Sequence, residues 1–313
     1  MKLSTDFKGR DFISLHDYTK DELTYFLDVA DYLKAEQKAG RETPILAKKT
    51  LGMIFQKSST RTRVSFEVGM YQLGGYPLFL SSNDLQIGRG EPVEDTARVL
   101  ARFLNGIMIR TFSHDEVLKL AQFADIPVIN GLTDLQHPCQ VLADLQTIRE
   151  YKGRLAGLKM AFIGDGNNMA HSLMHGGAKM GMHVVIASPE GYKPDEEMVK
   201  EALEDAKENG GQVEVISDPL EAVRDADVLY TDVWASMGQE KEAEERARAF
   251  AGFQINAKSL KLAQKDAMIL HCLPAHRGEE ITPEVMEGPQ SAIFDEAENR
   301  LHAQKAILAL LMG

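Results

Sequence analysis

Residues 51–70 read LGMIFQKSSTRTRVSFEVGM, an apolar run, a polar run and a mixed segment in succession. The apolar run at 51–55 is typical of a buried strand, and the polar run at 56–63 leads into a helix N-terminus at 64–70. The same order returns with a strand at 76–80 and a helix at 92–104. Alternation of this kind predicts parallel βαβ units.

The second half of the chain restarts this order. Strands are predicted at residues 159–163, 183–187, 212–216, 228–231 and 268–271, with helices at 168–180 and 195–209. The sequence therefore predicts an α/β protein with two doubly wound parallel-sheet domains of similar layout and a cleft between them. The first domain is predicted at residues 1–148, with a C-terminal helix at about 297–313 packing back onto it, and the second at 149–296. Ligands of such folds bind at strand carboxyl ends, here facing the cleft.

The composition argues against several classes of function. The 313 residues carry a formal net charge of −12, whereas a nucleic-acid partner requires a basic surface. No apolar run approaches the roughly 20 residues that span a bilayer, so no membrane partner is expected. Only Cys139 and Cys272 are present, without metal-ligand spacing, and residues 1–12 lack the apolar core of a signal peptide. These features predict a protein of the reducing cytoplasm.

Ser59-Thr60-Arg61-Thr62-Arg63 is the most informative motif, because it falls between a predicted strand and a predicted helix. The macrodipole and N–H groups of a helix N-terminus favour phosphate, and arginine grips phosphate oxygens with a planar fork. The segment therefore predicts an anion site on which both guanidinium groups converge. The alternative is a helix capped by Ser or Thr with surface arginines.

The same segment resembles the carbamoyl-phosphate motif of the aspartate and ornithine carbamoyltransferase family. Other motifs of that family follow in order along nearly the whole chain, among them His137-Pro138-Cys139-Gln140, which resembles His-Pro-x-Gln. The resemblance implies that carbamoyl phosphate is bound by Ser59, Thr60, Arg61, Thr62, Gln86, Arg110, His137, Gln140, Cys272, Leu273 and Arg300. Gln86 would reach the site of a neighbouring subunit, which implies a homotrimer or a multiple of trimers with shared sites.

His137 has a functional and a structural interpretation. By the resemblance, it donates a hydrogen bond to the carbonyl oxygen of carbamoyl phosphate, and such a preplaced donor contributes about 3–4 kcal/mol in comparable sites. Taken alone, a histidine before proline at a helix start is more often structural, since proline suits the first helical position. Cys139 stands where the family usually has threonine or another small residue, and it is given no chemical role.

The second half carries the motifs of the ornithine enzymes. Residues 164–168, GDGNN, open a helix after a strand; a dinucleotide loop is the alternative, but its third glycine and its acidic partner are missing. Residues 232–238, DVWASMG, resemble the family's Asp-x-x-x-Ser-Met-Gly loop, and the charged stretch at 239–248 is predicted to be a mobile lid. The resemblance implies that ornithine is bound by Asn168, Asp232, Ser236 and Met237. For Asn168 a helix cap is the structural alternative.

His271-Cys272-Leu273-Pro274 closes the series of motifs at the end of a predicted strand. By resemblance, Cys272 helps to bind the δ-amine of ornithine, and the carbonyl of Leu273 helps to orient the carbamoyl NH2. An isolated cysteine would more often be a small buried hydrophobic residue. The attacking nitrogen belongs to the substrate, so Cys272 is not predicted to be a covalent nucleophile.

Together these motifs imply transfer of the carbamoyl group of carbamoyl phosphate to the δ-amine of L-ornithine, giving L-citrulline and phosphate in arginine metabolism. Arg110, His137, Asp232 and Cys272 are the residues predicted to act in catalysis, and neither a cofactor nor a metal is expected. The alternatives are a transcarbamylase for putrescine, N-acetylornithine or aspartate, a non-catalytic anion-binding member of the fold, and a dinucleotide dehydrogenase. The intact Ser-Met-Gly loop disfavours putrescine, and the lack of a Pro-rich insertion disfavours the acetylated substrate.

Overall fold

The computed structural model describes residues 3–236, 238 and 240–313. Contacts between Cα atoms divide the chain into two compact units. Unit 1 comprises Met1–Gln146 and Glu298–Gly313, and unit 2 comprises Thr147–Ala297. The chain therefore leaves unit 1 once, within one helix, and returns to it within another.

Strands and helices alternate along the chain. The first half forms α1 (Lys20–Lys38), β1 (Thr50–Phe55), α2 (Thr60–Gln72), β2 (Tyr76–Ser81), α3 (Val93–Leu100), β3 (Gly106–Arg110), α4 (His114–Phe123), β4 (Val128–Leu132) and α5 (Pro138–Lys152). The second half forms β5 (Lys159–Ile163), α6 (Asn168–Lys179), β6 (His183–Ala187), α7 (Glu196–Asn209), β7 (Gln212–Ile216), α8 (Pro219–Val223), β8 (Val228–Thr231), α9 (Ala243–Ala249), α10 (Ala257–Leu262), β9 (Met268–His271), α11 (Pro283–Met286) and α12 (Ile293–Met312).

The described residues of unit 1 form a four-stranded parallel sheet in the order β2-β1-β3-β4. The chain moves outward from β1 in one direction and from β3 in the other, so a topological switch point lies between these two strands. In β1 only Thr50 is not fully buried, as expected for a strand covered on both faces. The register pairs Phe55 with Arg110, which brings the end of β3 beside the start of the loop before α2.

The described residues of unit 2 form a five-stranded parallel sheet in the order β7-β6-β5-β8-β9. Its switch point lies between β5 and β8, where Ile163 pairs with Thr231. Thr231 in turn pairs with His271 on β9. The loop after β5, Asp232 and Cys272 therefore all leave the same edge of the sheet, the place where open α/β sheets bind ligands. The prediction of two doubly wound parallel-sheet domains is confirmed.

Each unit has its own apolar core. In unit 1 the strands contribute Ile54, Ile107 and Ile109, against which α3 and α4 pack. In unit 2 the corresponding cluster contains Ile163, Val185, Leu229, Ile269 and Phe250. Two independent cores of this kind are what a chain of this length is expected to form.

The bounds of some elements differ from the sequence-based prediction. The helix predicted at 92–104 ends at Leu100, and the last helix begins at Ile293 rather than at about residue 297. Helix α4 was not predicted, although Val117, Leu120 and Ala121 on it have helical spacing. Its ten residues are fewer than the roughly 11–18 over which such an apolar stripe is recognised. Among the described helices, none combines the length and the apolar character needed to cross a membrane.

Candidate active site

The predicted anion segment lies at the N-terminus of α2. Ser59 is the N-cap residue, and its side-chain oxygen accepts a hydrogen bond from the backbone N–H of Thr62 at 3.1 Å. Thr60, which begins the helix, is exposed, Arg61 is half-buried and Thr62 is buried. The helix start therefore presents its positive end together with hydroxyl groups and one guanidinium group. The cap does not exclude an anion site, because Ser59 satisfies only one backbone N–H of the first turn, that of Thr62.

Two buried arginines join this segment from distant parts of unit 1. Arg110 ends β3, and its Nη1 lies 3.5 Å from Oγ1 of Thr62. Arg300 lies on α12 and donates from Nη2 to the same Thr62 oxygen at 3.2 Å. Only 8% of Arg110 and 2% of Arg300 is exposed. Burial strengthens the interaction of these cations with any anion that enters, because the local dielectric is low.

Gln140 is tied into the same group. Its Oε1 accepts a hydrogen bond from Nη1 of Arg300 at 2.6 Å, and its Nε2 donates to Oδ1 of Asp144 at 2.8 Å. On the other side of Arg300, Nε donates to Oε1 of Gln304 at 2.9 Å. The guanidinium group of Arg300 is thus oriented by Thr62, Gln140 and Gln304.

His137 immediately precedes α5 and is buried. Burial lowers the pKa of His137 well below its ordinary value of 6.5, and the positive charges of Arg300, Arg110 and Arg61 lower it further. The imidazole is therefore neutral near pH 7 and retains one N–H that can donate to an acceptor. Arg110 and Arg300 both contact Thr62, the neighbour of Arg61 on α2, so the three arginines lie in one region of unit 1.

Two other residues of unit 1 lie outside this buried group. Arg63 is exposed; it donates to Glu67 at 3.0 Å and its guanidinium carbon lies 3.7 Å from the ring centroid of Phe79. The expectation that both arginines of the motif converge on one site is therefore wrong for Arg63, because it faces the other side of α2. Gln86 begins a short 3-10 helix, Gln86–Arg89, and is exposed.

In unit 2, Asp232 follows β8 and is buried. Its Oδ1 accepts hydrogen bonds from the backbone N–H of Val233 at 2.8 Å and from the thiol of Cys272 at 3.1 Å. Its Oδ2 accepts from the side-chain amide of Asn167 at 3.2 Å. Three neutral donors thus orient a carboxylate at the carboxyl end of the sheet, where it can meet an ammonium group.

The loop after β5 places Asn167 and Asn168 differently. Asn167 is the N-cap of α6, since its Oδ1 accepts from the backbone N–H groups of Met169 and Ala170 at 2.9 and 3.3 Å. Asn168 is the first helical residue and is half-buried. The cap considered for Asn168 therefore belongs to its neighbour. Gly166 is required for close packing, because a Cβ there would lie 2.2 Å from the backbone nitrogen of Pro194.

The loop after Asp232 is fixed by an arginine that the sequence did not single out. Ser236 is half-buried, and Met237 lies outside the described residues. Arg246 on α9 is buried and donates from Nη1 to Asp165 at 2.7 Å and to the carbonyl of Trp234 at 2.9 Å. The charged stretch after the loop is thus not uniformly solvated, since one of its arginines is an internal ion-pair partner.

His271 holds the backbone of the last motif. Its Nδ1 accepts from the N–H of Leu273 at 2.9 Å, so Nε2 carries the proton that faces Glu280 at 3.1 Å. Leu273 has a φ of +58°, a left-handed conformation that a branched side chain rarely adopts. Such strain persists only where the surroundings enforce it, and it is frequent at functional sites. Cys272 is partly exposed beside this strained residue.

Cys139, by contrast, is fully enclosed in unit 1. Its thiol contacts the carbonyl oxygen of Asn130 at 3.3 Å, and burial raises its pKa to about 12. A thiol with such a pKa is not a nucleophile at neutral pH. Cys139 therefore packs as a small apolar residue.

Comparison with known proteins gives the same family for both units. Residues 10–150 match the family model for the carbamoyl-P binding domain of aspartate/ornithine carbamoyltransferase, and residues 156–311 match the model for its Asp/Orn binding domain. The chain belongs to the aspartate/ornithine carbamoyltransferase family. Within that family, the chain is 63% identical over 309 residues to the ornithine carbamoyltransferase of Symbiobacterium thermophilum. The aligned region covers 99% of this chain and 100% of the relative.

Solved structures of ornithine carbamoyltransferases have the same fold as this chain. The ornithine carbamoyltransferase of Pyrococcus furiosus superposes with a TM-score of 0.96 at 56% identity, covering 98% of both chains. That of Giardia lamblia superposes with a TM-score of 0.87 at 33% identity, covering 96% of this chain and 97% of the other. The fold is thus shared with relatives that differ at two thirds of their positions.

The motifs missed three residues that support the carbamoyltransferase site in unit 1: Ser65, Asp144 and Gln304. Each stands four positions after a predicted site residue on the same helix, namely Arg61, Gln140 and Arg300. Because residues four apart are neighbours on a helix surface, this spacing was a usable signal. Arg246 offered no such signal, since its partner Asp165 is 81 residues away.

Proposed function

We propose that this chain transfers the carbamoyl group of carbamoyl phosphate to the δ-amine of L-ornithine. A C–N bond forms, the bond between the carbonyl carbon and the phosphate oxygen breaks, and the amine loses a proton, giving L-citrulline and phosphate. The observation that carries the proposal is the convergence of two buried arginines, Arg110 and Arg300, on Thr62 at the N-terminus of α2, beside Arg61. The names of the relatives at about 60% identity support ornithine as the acceptor.

Unit 1 supplies the groups that bind and activate carbamoyl phosphate. The N-terminus of α2, with Ser59, Thr60 and Thr62, and the guanidinium groups bind the phosphate, whose negative charge grows as it leaves. His137 donates its N–H to the carbonyl oxygen, which becomes an oxyanion when the amine attacks. Since His137 is already neutral, it needs no proton transfer before it can act as this donor.

Unit 2 supplies the groups that bind ornithine. In the proposal, the carboxylate of Asp232 receives the α-ammonium group, and Asn168, Ser236 and Met237 hold the amino-acid end. The δ-amine has an ordinary pKa of about 10, so the neutral nucleophile is scarce at pH 7. Cys272 and Asp232, already joined by a hydrogen bond, are the groups we assign to steering its proton. The carbonyl of the strained Leu273 orients the carbamoyl NH2.

The proposed reaction requires neither a metal nor an organic cofactor, because phosphate is already a good leaving group. Carbamoyl phosphate binds first, and exclusion of water then protects it while amine and carbonyl are aligned. We assign carbamoyl-phosphate binding to residues 1–148 with the C-terminal helix at 297–313, and ornithine binding to 149–296. The relative from Pyrococcus furiosus at 57% identity is named an anabolic ornithine carbamoyltransferase, which supports a biosynthetic direction.

The assembly we propose is a cytoplasmic homotrimer, or a multiple of it, with shared sites. Unit 1 exposes large apolar side chains, including Tyr71 at 78%, Tyr76 at 64% and Phe103 at 74%, which self-association would bury. Gln86 is exposed, as a residue that contacts a neighbouring subunit must be. Mixing subunits of Gln86→Ala with subunits of Arg61→Ala tests the sharing. Restored activity supports shared sites, and activity no higher than that of the separate variants contradicts them.

A steady-state assay tests the reaction. Purified protein is incubated with carbamoyl phosphate and ornithine, putrescine, N-acetylornithine or aspartate, and both phosphate and the carbamoylated product are measured. Citrulline formed in equal amount to phosphate, with the other acceptors at least 100-fold poorer in kcat/KM, is the expected result; a site built for a polar group rejects analogues that lack it by at least about this factor. Folded protein that yields no citrulline would contradict the proposal.

A further inference from the structure

A continuous chain of buried hydrogen bonds runs behind the carbamoyl-phosphate site of unit 1. Ser65 donates to the carbonyl oxygen of Arg61 at 2.5 Å, and Gln304 donates to Ser65 at 2.7 Å. Arg300 donates to Gln304 on one side and to Gln140 on the other, at 2.9 and 2.6 Å. Gln140 then donates to Asp144 at 2.8 Å, and Asp144 is fully buried.

The chemistry of the two ends fixes how the amide of Gln140 is turned. A guanidinium group can only donate hydrogen bonds, and a carboxylate can only accept them. The amide oxygen must therefore face Arg300 and the NH2 must face Asp144, whereas an amide between neutral partners could adopt either orientation. The hydrogen bond to a carboxylate is about twice as strong as one between neutral groups, so Asp144 is a firm constraint.

We propose that Asp144 is a positioning residue that gives the site its preference for a carbamoyl group. By holding the NH2 of Gln140 on the far side, Asp144 keeps the amide oxygen turned toward the ligand and Arg300. That oxygen has a second lone pair, which can accept a hydrogen bond from the NH2 of carbamoyl phosphate. A methyl group in the same position, as in acetyl phosphate, cannot donate this bond. The inference rests on the proposed function, in which Gln140 contacts the carbamoyl group.

The inference explains why a carboxylate is buried at this position. Burying a charge is unfavourable unless it is paired or hydrogen-bonded. A neutral side chain of the same size would fill the space without this penalty, but its weaker hydrogen bond would leave the amide of Gln140 held mainly by Arg300. Asp144 touches neither substrate in this account and acts on the ligand through Gln140.

The test compares three anions on the wild type and on Asp144→Asn, which keeps the volume of the side chain. The quantities are the KM of carbamoyl phosphate and the inhibition constants of acetyl phosphate and inorganic phosphate. In the wild type, carbamoyl phosphate binds more tightly than acetyl phosphate. In Asp144→Asn this preference falls by roughly three- to ten-fold, the value of one hydrogen bond, while inorganic phosphate binds as before. Asp205→Asn removes another buried carboxylate, paired with Lys179 in unit 2, and leaves the preference unchanged.

A double variant, Gln140→Glu with Asp144→Asn, provides the rescue. A glutamate at position 140 presents only oxygens to Arg300 and to the ligand, whichever way the asparagine turns, and the pair keeps its total charge. The preference for carbamoyl over acetyl phosphate returns in this variant. Where Asp144→Asn alone does not fold, Asp144→Ser, which also removes the charge, takes its place in the comparison.

Three results would overturn the inference: an unchanged preference in Asp144→Asn, an equal weakening of all three anions, or a folded double variant without preference. A wild type that binds inorganic phosphate but does not distinguish carbamoyl from acetyl phosphate would instead count against the proposed function. The two failures are therefore distinguishable in one set of measurements.

Discussion

The carbamoyl-phosphate site of unit 1 and the Asp165–Arg246 pair of unit 2 use buried charges in opposite ways. At the site, Arg300 is oriented by neutral oxygens of Thr62, Gln140 and Gln304. In unit 2, Arg246 donates directly to a carboxylate at 2.7 Å. Neutral acceptors orient a guanidinium group without cancelling its charge, so these three hydrogen bonds leave the positive charge of Arg300 in place. In a direct ion pair, by contrast, the positive charge of the arginine is already balanced by a carboxylate of the protein.

Asp232 resembles Arg300 in being oriented by neutral groups, but its own charge is negative. Its carboxylate is held by an amide, a backbone N–H and a thiol, all of them neutral. The comparison therefore separates two kinds of buried charge: those oriented by neutral groups, which are available to a ligand, and those paired with an opposite charge, which stabilise the fold. The variants below test this separation.

The largest effect is expected for Arg61→Ala. Loss of a guanidinium group at the start of α2 should lower kcat/KM for carbamoyl phosphate by roughly 10³-fold, since it removes both phosphate binding and transition-state charge stabilisation. The free energy of unfolding should hardly change. Steady-state kinetics and urea denaturation measure the two quantities. Arg98→Ala, an exposed arginine that pairs with Asp95 at 3.1 Å, is the matched control, and near-normal kinetics in Arg61→Ala would refute the phosphate assignment.

Asp232→Asn should lower kcat/KM for ornithine by roughly 10²-fold, because the amide keeps the shape of the carboxylate but not its charge. The KM of carbamoyl phosphate should remain within a factor of about two. Asp266→Asn, at an exposed aspartate of the same unit that pairs with Lys152, is the control. An unchanged dependence on ornithine concentration in Asp232→Asn would show that the loop has been assigned the wrong role.

Arg246→Met should act on stability first. Removing one partner of a buried ion pair leaves Asp165 uncompensated, which costs about 3 kcal/mol. The double variant with Asp165→Asn should recover part of this loss, because no unpaired charge remains. Thermal or urea unfolding of the single and double variants measures both the loss of stability and its recovery. Wild-type stability in Arg246→Met would remove the distinction between the two kinds of charge.

The smallest effect on stability is expected at Lys305, a third kind of buried charge that has neither a ligand nor a described ion-pair partner. Its ammonium group is buried on α12 and donates only to amide oxygens among its described hydrogen bonds, those of Gln37 at 3.2 Å and Gln72 at 2.9 Å. Burial lowers the pKa of Lys305 from 10.5 to about 8. The unfolded chain therefore binds more protons between pH 8 and 10.5, so the stability of the wild type rises with pH across this window.

Lys305→Met lacks this penalty and should be more stable than the wild type at pH 7, by about 1–3 kcal/mol. The gain should shrink as the pH rises from 8 toward 10.5, while kcat changes little. Urea denaturation at several pH values measures the gain, with the exposed Lys258→Met as control. A gain that does not depend on pH would show that the apolar side chain, and not the lost charge, stabilises the variant.

The sequence predicted the fold because its strands are short, apolar and separated by helices at regular intervals. Strands β5 to β9 begin and end at the predicted residues. The central strands are nearly continuous apolar runs because both faces are covered, and β7, at the edge of the sheet, alternates polar and apolar residues. Helix α4 escaped prediction because its ten residues are too few for the helical spacing of its apolar positions to stand out. The site motifs were recognisable because they are contiguous, such as residues 59–63 or 271–274.

The groups behind the site were harder to predict because they are assembled across the fold. Arg300 contacts Thr62 across 238 positions of sequence, and no local pattern encodes such a contact. The position of Arg63 was mispredicted for a related reason: side chains two positions apart on a helix point to different sides. The network through Asp144 became visible only when the hydrogen-bond partners of Gln140 were known.

Calorimetric titration of carbamoyl phosphate in the absence of ornithine tests the central claim most directly. The wild type and Asp232→Asn should bind it with dissociation constants within a factor of about two, and Arg61→Ala should bind it at least about 100-fold more weakly, because charge-assisted contacts to the phosphate are lost. Equal affinities in all three proteins, or an equal loss in both variants, would contradict the division of the charges between a phosphate-binding unit and an amine-binding unit.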